Sequence, residues 1–291
     1  MACASNPIAR RATLISDADK AAKAAIANEA SLDPSKIPPR TFAVVPFTVA
    51  ASDTLLRPLG FGLADLLMAD LAKSPSLRLV ERVQTNAMLR ELDFVDQGIT
   101  DPRQAPRVGR LVGARQILIG DASRGNGGAV RLSARVVDVI GGTVQDLVYA
   151  EAPLDRVIDA EKALALLLFE RLGIQLTPAQ RQRIEQRQTT QLAALVAYGR
   201  GVQAEARGDA AGATAAFEDA ARLDAAFAAA RTQASAAPAS SAQRASSVAR
   251  VLDLATQAVN APVAIKPPEA VDAPLAASSL LQILITVRVT P

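Results

Sequence analysis

The chain has 291 residues, 50% of them hydrophobic, and a net charge of +3. That length and apolar content suffice for a sizeable core in one to three domains. With no His, no Trp and one Cys, imidazole catalysis, His metal sites, intramolecular disulfides and CxxC redox pairs are excluded. The basic residues are six Lys and 26 Arg, scattered among acids, which argues against nucleic-acid binding through one dense basic stripe. The longest apolar run in the middle of the chain, 163–169, is far short of the ~20 residues of a spanning helix, so no transmembrane helix is expected.

The lone cysteine, Cys3, lies in the run Ala2-Cys3-Ala4-Ser5. A small residue before Cys suits bacterial lipoprotein processing, but the apolar stretch that should precede it is missing. Either the chain is a mature form with an added Met, or its start lies further upstream. From these residues alone, lipid attachment and an incidental terminal thiol both stand.

Residues 17–30 are Ala-rich and read as a helix, and 31–40, with three prolines, as a linker. Residues 41–49 form a buried strand whose Pro46 marks an edge or an end. Leu63, Leu66, Leu67 and Leu71 follow helical spacing, which predicts a helix over 62–73 with Asp65 and Asp70 on its solvated side. Gly60-Phe61-Gly62 lacks the third glycine of a phosphate loop and reads as the start of that helix. Alternation predicts a strand over 77–83. Helices follow at 84–92 and 102–112, then strands at 115–123, 129–140 and 143–150, the last two joined at Gly141-Gly142.

Beyond residue 155 the pattern is helical: 155–172, a helix capped by Thr177-Pro178, and a hairpin of 191–206 and 210–223. Residues 232–245 read as flexible. Residues 246–259 can form one amphipathic helix on Val248, Val251, Leu252, Ala255 and Val259. The stretch 260–274 is a Pro-rich linker, and 280–289 an apolar strand expected to dock on a sheet edge.

Several stretches then acquire a common meaning. Val44-Val45-Pro46-Phe47, Gly62 to Leu67, Leu79 to Arg82, Leu89 to Leu92, Gly113 to Gly120, Arg135 to Val139 and Gly142-Thr143-Val144 occur in the order and spacing of the curli-secretion (CsgG-type) family. Over 41–150 the chain resembles that family and the related FlgO-type and TolB-N-terminal-like domains. The resemblance implies an α+β fold, a compact sheet with packed helices, in a bacterial envelope lipoprotein. It further implies lipid attachment at Cys3 and residence at the periplasmic face of the outer membrane. Pore-forming relatives insert two long membrane hairpins of ~20 residues each, and neither 124–128 nor 150–155 leaves room for one.

Residues 197–230 resemble one tetratricopeptide unit. An interaction surface is expected there at Tyr198, Gly201, Gly208, Asp209 and Phe217. The expected organisation is therefore 1–40 anchor, helix and linker, 41–175 curli-secretion-like domain, 176–259 helical tetratricopeptide-like region, and 260–291 linker and strand.

Lys73-Ser74 and Ser35-Lys36 lack the spacing of a Ser–Lys dyad and read as surface residues. Asp65 and Asp70 lie ~140° apart around a helix and do not make a metal pair. Asp138 is expected to pair with Arg135 or a neighbouring Arg. No catalytic set, metal site or cofactor site emerges. The expected function is that of a non-enzymatic tether or adaptor. Its partners would be other envelope proteins or a second copy of itself, and its N-terminal lipid would contact the membrane. The alternatives are a non-pore accessory subunit of a secretion or appendage-assembly complex, and a periplasmic activator of a cell-wall enzyme.

Overall fold

The computed structural model describes residues 6–96 and 98–235. Cys3, the expected helix over 246–259 and the expected strand over 280–289 lie outside the described residues. The chain divides into two units, Met1–Val259 and Asn260–Pro291, and every described residue belongs to the first.

The first helix, α1 (Pro7–Ala27), starts ten residues earlier than its Ala-rich stretch implies. Asn6 explains the difference: its side chain accepts from the Ile8 N–H at 2.9 Å, and Pro7 supplies the first-turn φ. Strand β1 (Thr41–Val44) ends just before Pro46. It is an interior strand, in a sheet of order β2-β1-β3-β4-β5.

Helix α2 spans Leu56–Leu71, so Gly60 and Gly62 lie inside it and do not open it. Strand β2 is only Arg78–Leu79. The alternation of 77–83 breaks because the chain turns at Glu81 into α3 (Arg82–Glu91). Helix α4 (Ala105–Leu111) leads to β3 (Gln116–Arg124), β4 (Ala129–Asp138) and β5 (Val148–Pro153). The turn at Gly141-Gly142 does not open directly into β5. A single bridge, Val137 to Val144, precedes it.

β1 runs parallel to β2 and β3, whereas β3, β4 and β5 form an antiparallel meander. Alternate residues therefore face opposite layers. Phe42, Val44, Leu118, Leu132, Ala134 and Val136 face α2 and α5 (Val157–Arg171). Ala43, Val45, Ile117, Ile119, Val137 and Val139 belong to a second core with α1, α3 and α4. The architecture is α+β, a five-stranded sheet with helices packed on it.

The remaining helices are α6 (Pro178–Glu185), α7 (Leu192–Ala206), α8 (Ala210–Leu223) and α9 (Ala228–Ala234). Thr232 is therefore helical, not part of a flexible stretch. Thr177 and Gln180 form a reciprocal capping box at the start of α6. α7 packs directly on α2. At Gly199 a Cβ would stand 2.1 Å from the Pro58 carbonyl oxygen, and at Gly62 it would stand 3.0 Å from Gly199 Cα. Only hydrogen at both positions lets the two backbones meet. The residues of α7 and α8 share one hydrophobic core with α2, α5 and the sheet.

Candidate functional site

Four helices, α1, α2, α3 and α7, surround a groove closed at one end by α9. Its cavity volume is about 460 Å³, within the range of small-molecule and peptide-side-chain pockets. The walls are apolar, from Leu14, Ala18, Met68, Ala69, Val83 and Met88. Leu14 at the rim is 41% exposed.

The floor is charged and internally paired. Arg82, the first residue of α3, places Nη2 2.7 Å from Glu205 Oε1 of α7 and Nη1 2.9 Å from Asp65 Oδ1 of α2. Tyr198 of α7 donates its hydroxyl to Asp65 Oδ2. Arg11 of α1 pairs with Glu205 Oε2, donates from Nε to Thr214 Oγ1 at 3.2 Å, and donates to the Gln233 carbonyl oxygen. Its guanidinium carbon lies 4.8 Å from the centre of the Phe217 ring, a cation–π contact.

Two arginines and two carboxylates thus cancel in formal charge. Burial pulls the two guanidinium groups down, and their surroundings answer differently. Arg11 ends below its ordinary value, because Glu205 only partly offsets its burial and Arg82 opposes it further. Arg82 ends above, since Asp65 and Glu205 both hold its proton. Burial and the adjacent Asp65 charge push the Tyr198 phenol well above its ordinary range. Both guanidinium groups stay cationic, and the Tyr198 phenol stays neutral.

A second buried cluster joins α2 to α5. Lys162 Nζ lies 2.6 Å from Asp70 Oδ2 and 3.0 Å from Glu161 Oε2. Lys73 also pairs with Asp70 and donates to the Arg183 carbonyl oxygen at 2.7 Å. Burial raises the Glu161 carboxyl to about 8, Lys162 opposes that rise, and Asp70 adds to it.

Asp65 and Asp70 are therefore buried, not solvated as their helix face implied. Their ~140° separation still holds its meaning, because each serves a different cluster. Ser74 is buried, and Lys73 is drawn inward by Asp70. Asp138 pairs with Arg115 at 3.5 Å and accepts from the Ile140 and Gly141 N–H groups.

Of the residues expected on an interaction surface, Tyr198 and Phe217 are interior, at 1% and 0% exposure. They pack with ring centres 5.3 Å apart. Gly201 is buried because a Cβ there would stand 2.6 Å from the Phe217 ring. Gly208, at φ +85°, makes the α7–α8 turn, and Asp209 caps α8 by accepting from the Gly212 N–H at 2.8 Å. Only these last two are exposed.

Sequence reasoning overlooked Arg11, Arg82, Glu161, Lys162 and Glu205. A signal was visible for two of them: Glu205 follows Tyr198, Gly201 and Val202 at helical spacing, and Arg11 precedes Ile15, Ala18 and Ala22 in the same way, so each interrupts an apolar stripe.

Residues 30–124 match the family model described as the curli production assembly/transport component CsgG. This segment is similar to CsgG. It takes in β1, α2, β2, α3, α4 and β3, and hence the α2 and α3 walls of the groove. No curated protein sequence matches the chain. Among solved structures, the C-terminal domain of LpoB from Salmonella enterica matches at 21% identity over 39% of this chain and 82% of that one. Its TM-score is 0.33, too low to tie the two folds together.

Proposed function

We propose that the protein is a non-enzymatic adaptor of the bacterial envelope, anchored at the periplasmic face of the outer membrane through a lipid on Cys3. The match of residues 30–124 to the curli production assembly/transport family carries this reading. The groove supports its adaptor part. It is apolar-walled, its charges are paired with one another, and its size suits a partner's side chains. Attachment would hold the groove near one surface and raise its effective concentration there.

A second reading, a non-pore accessory subunit of a secretion or assembly complex, draws on the same family match. The β3–β4 connection is only Gly125–Gly128, and β5 reaches α5 through the short turn Leu154–Arg156. Neither can hold the ~20 residues of a membrane hairpin.

The test is metabolic labelling with a fatty acid in a bacterial host, using the protein with its native upstream codons. Incorporation of label and flotation with membranes, both lost in Cys3→Ser, are expected. An unlabelled wild-type protein that stays in the soluble fraction defeats the anchoring claim.

A further inference from the structure

The groove between α1, α2, α3 and α7 has a charge balance of its own. Two arginines, Arg11 and Arg82, and four carboxylates, Asp17, Asp65, Glu81 and Glu205, line it. Both arginines are engaged in the floor by Asp65 and Glu205. Two carboxylates remain in excess, in a chain whose net charge is +3. Asp17 belongs to α1 and has Lys20 as its partner, at 3.3 Å with both side chains exposed, a pair that water screens. Glu81 stands immediately before α3 without capping it through its side chain. Among the described residues its carboxylate has no ion-pair partner. Apolar walls around such acids concentrate their field on whatever enters.

The walls suit an occupant with apolar side chains. Met68 and Met88, both of the methionines among the described residues, line the groove beside Leu14 and Val83. Unbranched, polarizable thioethers re-pack around side chains of different shapes, which is why methionine recurs on surfaces that receive helices. Ala18, Ala22 and Ala69 leave room between these larger groups. A groove framed by helices receives an amphipathic helix through anchors at i, i+3, i+4 and i+7. A Lys or Arg beside such a stripe lays its stem on the apolar wall and keeps its charge at the rim, where the excess acids stand. The same acids disfavour an acidic helix or an anionic lipid headgroup.

We propose that this groove docks a cationic amphipathic helix of another envelope protein. The apolar stripe of that helix lies against Met68, Val83 and Met88, and a Lys or Arg at its border pairs with Glu81. This names the partner's chemistry for the adaptor reading above and rests on that reading.

The probes are two labelled synthetic peptides of about 18 residues, long enough to form a helix. They share one leucine stripe at helical spacing, bordered by Lys in one and by Glu in the other. Binding to the full chain is followed by fluorescence anisotropy at low and high salt. The Lys peptide should bind on the order of 10-fold tighter, an advantage that shrinks as salt rises. Glu81→Gln should erase most of that advantage and leave the urea midpoint unchanged. Ala69→Trp, at an exposed wall position, should weaken both peptides by a clash, on the order of 10-fold or more. Equal affinities, or a Glu81→Gln variant that keeps the full preference, overturn the cationic assignment and leave the adaptor reading standing. Binding of neither peptide, or binding that Ala69→Trp does not change, overturns the groove as a docking site and the adaptor reading with it. Lipid labelling reads the anchoring claim separately. Dimerisation of the peptide-free chain in sedimentation, lost in Ala69→Trp, makes a second copy the occupant and overturns the proposal.

Discussion

Arg82 is the point at which three helices meet: one guanidinium touches Asp65 of α2 and Glu205 of α7 from the first residue of α3. Removing one partner from such a buried group leaves an uncompensated charge, an effect of about 3–5 kcal/mol. The second cluster is built less evenly, because Glu161 and Asp70 share Lys162 while only Asp70 also has Lys73. Glu161 consequently keeps its proton to about 8 when folded, against an ordinary value of 4.5. Between those values the folded state binds more protons than the unfolded one. Stability from this group is therefore full below 4.5 and is lost as the pH rises towards 8. Glu161→Gln should leave stability near pH 4.5 almost unchanged and raise it at pH 9 by about 1–3 kcal/mol, measured by urea unfolding at both values. A wild type and a variant with parallel pH profiles would show that Glu161 does not titrate in this way. The helical spacing of Asp65 and Asp70 correctly separated them. Their burial was not legible, because the cations that receive them arrive from α3 and α5.

Among the elements, α2 and α7 depend on absent side chains as much as on present ones. Gly199 sits against the Pro58 carbonyl at a distance no Cβ tolerates, so Gly199→Ala must push the helices apart or distort one. A loss of about 1–3 kcal/mol is expected from such overpacking, read as a lower urea midpoint with an unchanged slope. Stability equal to wild type would mean that this crossing is looser than its geometry implies. Local signals otherwise served the helices well. The Thr177-Pro178 cap and the two helices flanking Gly208-Asp209 form where the sequence places them. The strand signal over 77–83 failed for a tertiary reason: Arg82 is needed at the start of α3, where it reaches Asp65 and Glu205. Val80 still donates to the Phe42 carbonyl at 2.7 Å, so pairing persists for one residue and then yields to the helix.

At the scale of the whole molecule, the helical region beyond α6 does not stand apart from the sheet. Tyr198, Phe217 and Phe227 belong to the same core as Phe42, Leu63 and Leu168. Arg11 of α1 ties to Glu205 and Thr214, 194 and 203 residues away in sequence. The described body should therefore unfold in one urea transition. The far-ultraviolet circular dichroism of its helices and the near-ultraviolet signal of buried Tyr198 should coincide. Two separated transitions would mark the α7–α9 helices as an independent unit. The sequence by itself determined the α+β class, the order of most elements, the CsgG-like segment and the absence of imidazole and paired-thiol chemistry. Those depend on composition, periodicity and caps, all local properties of a chain. Only the tertiary structure decided which charges are buried, that Tyr198 and Phe217 are core rather than surface, and that four helices leave a groove between them. Each of these depends on residues far apart in sequence meeting across one interior, and no local pattern records which partner a side chain will meet.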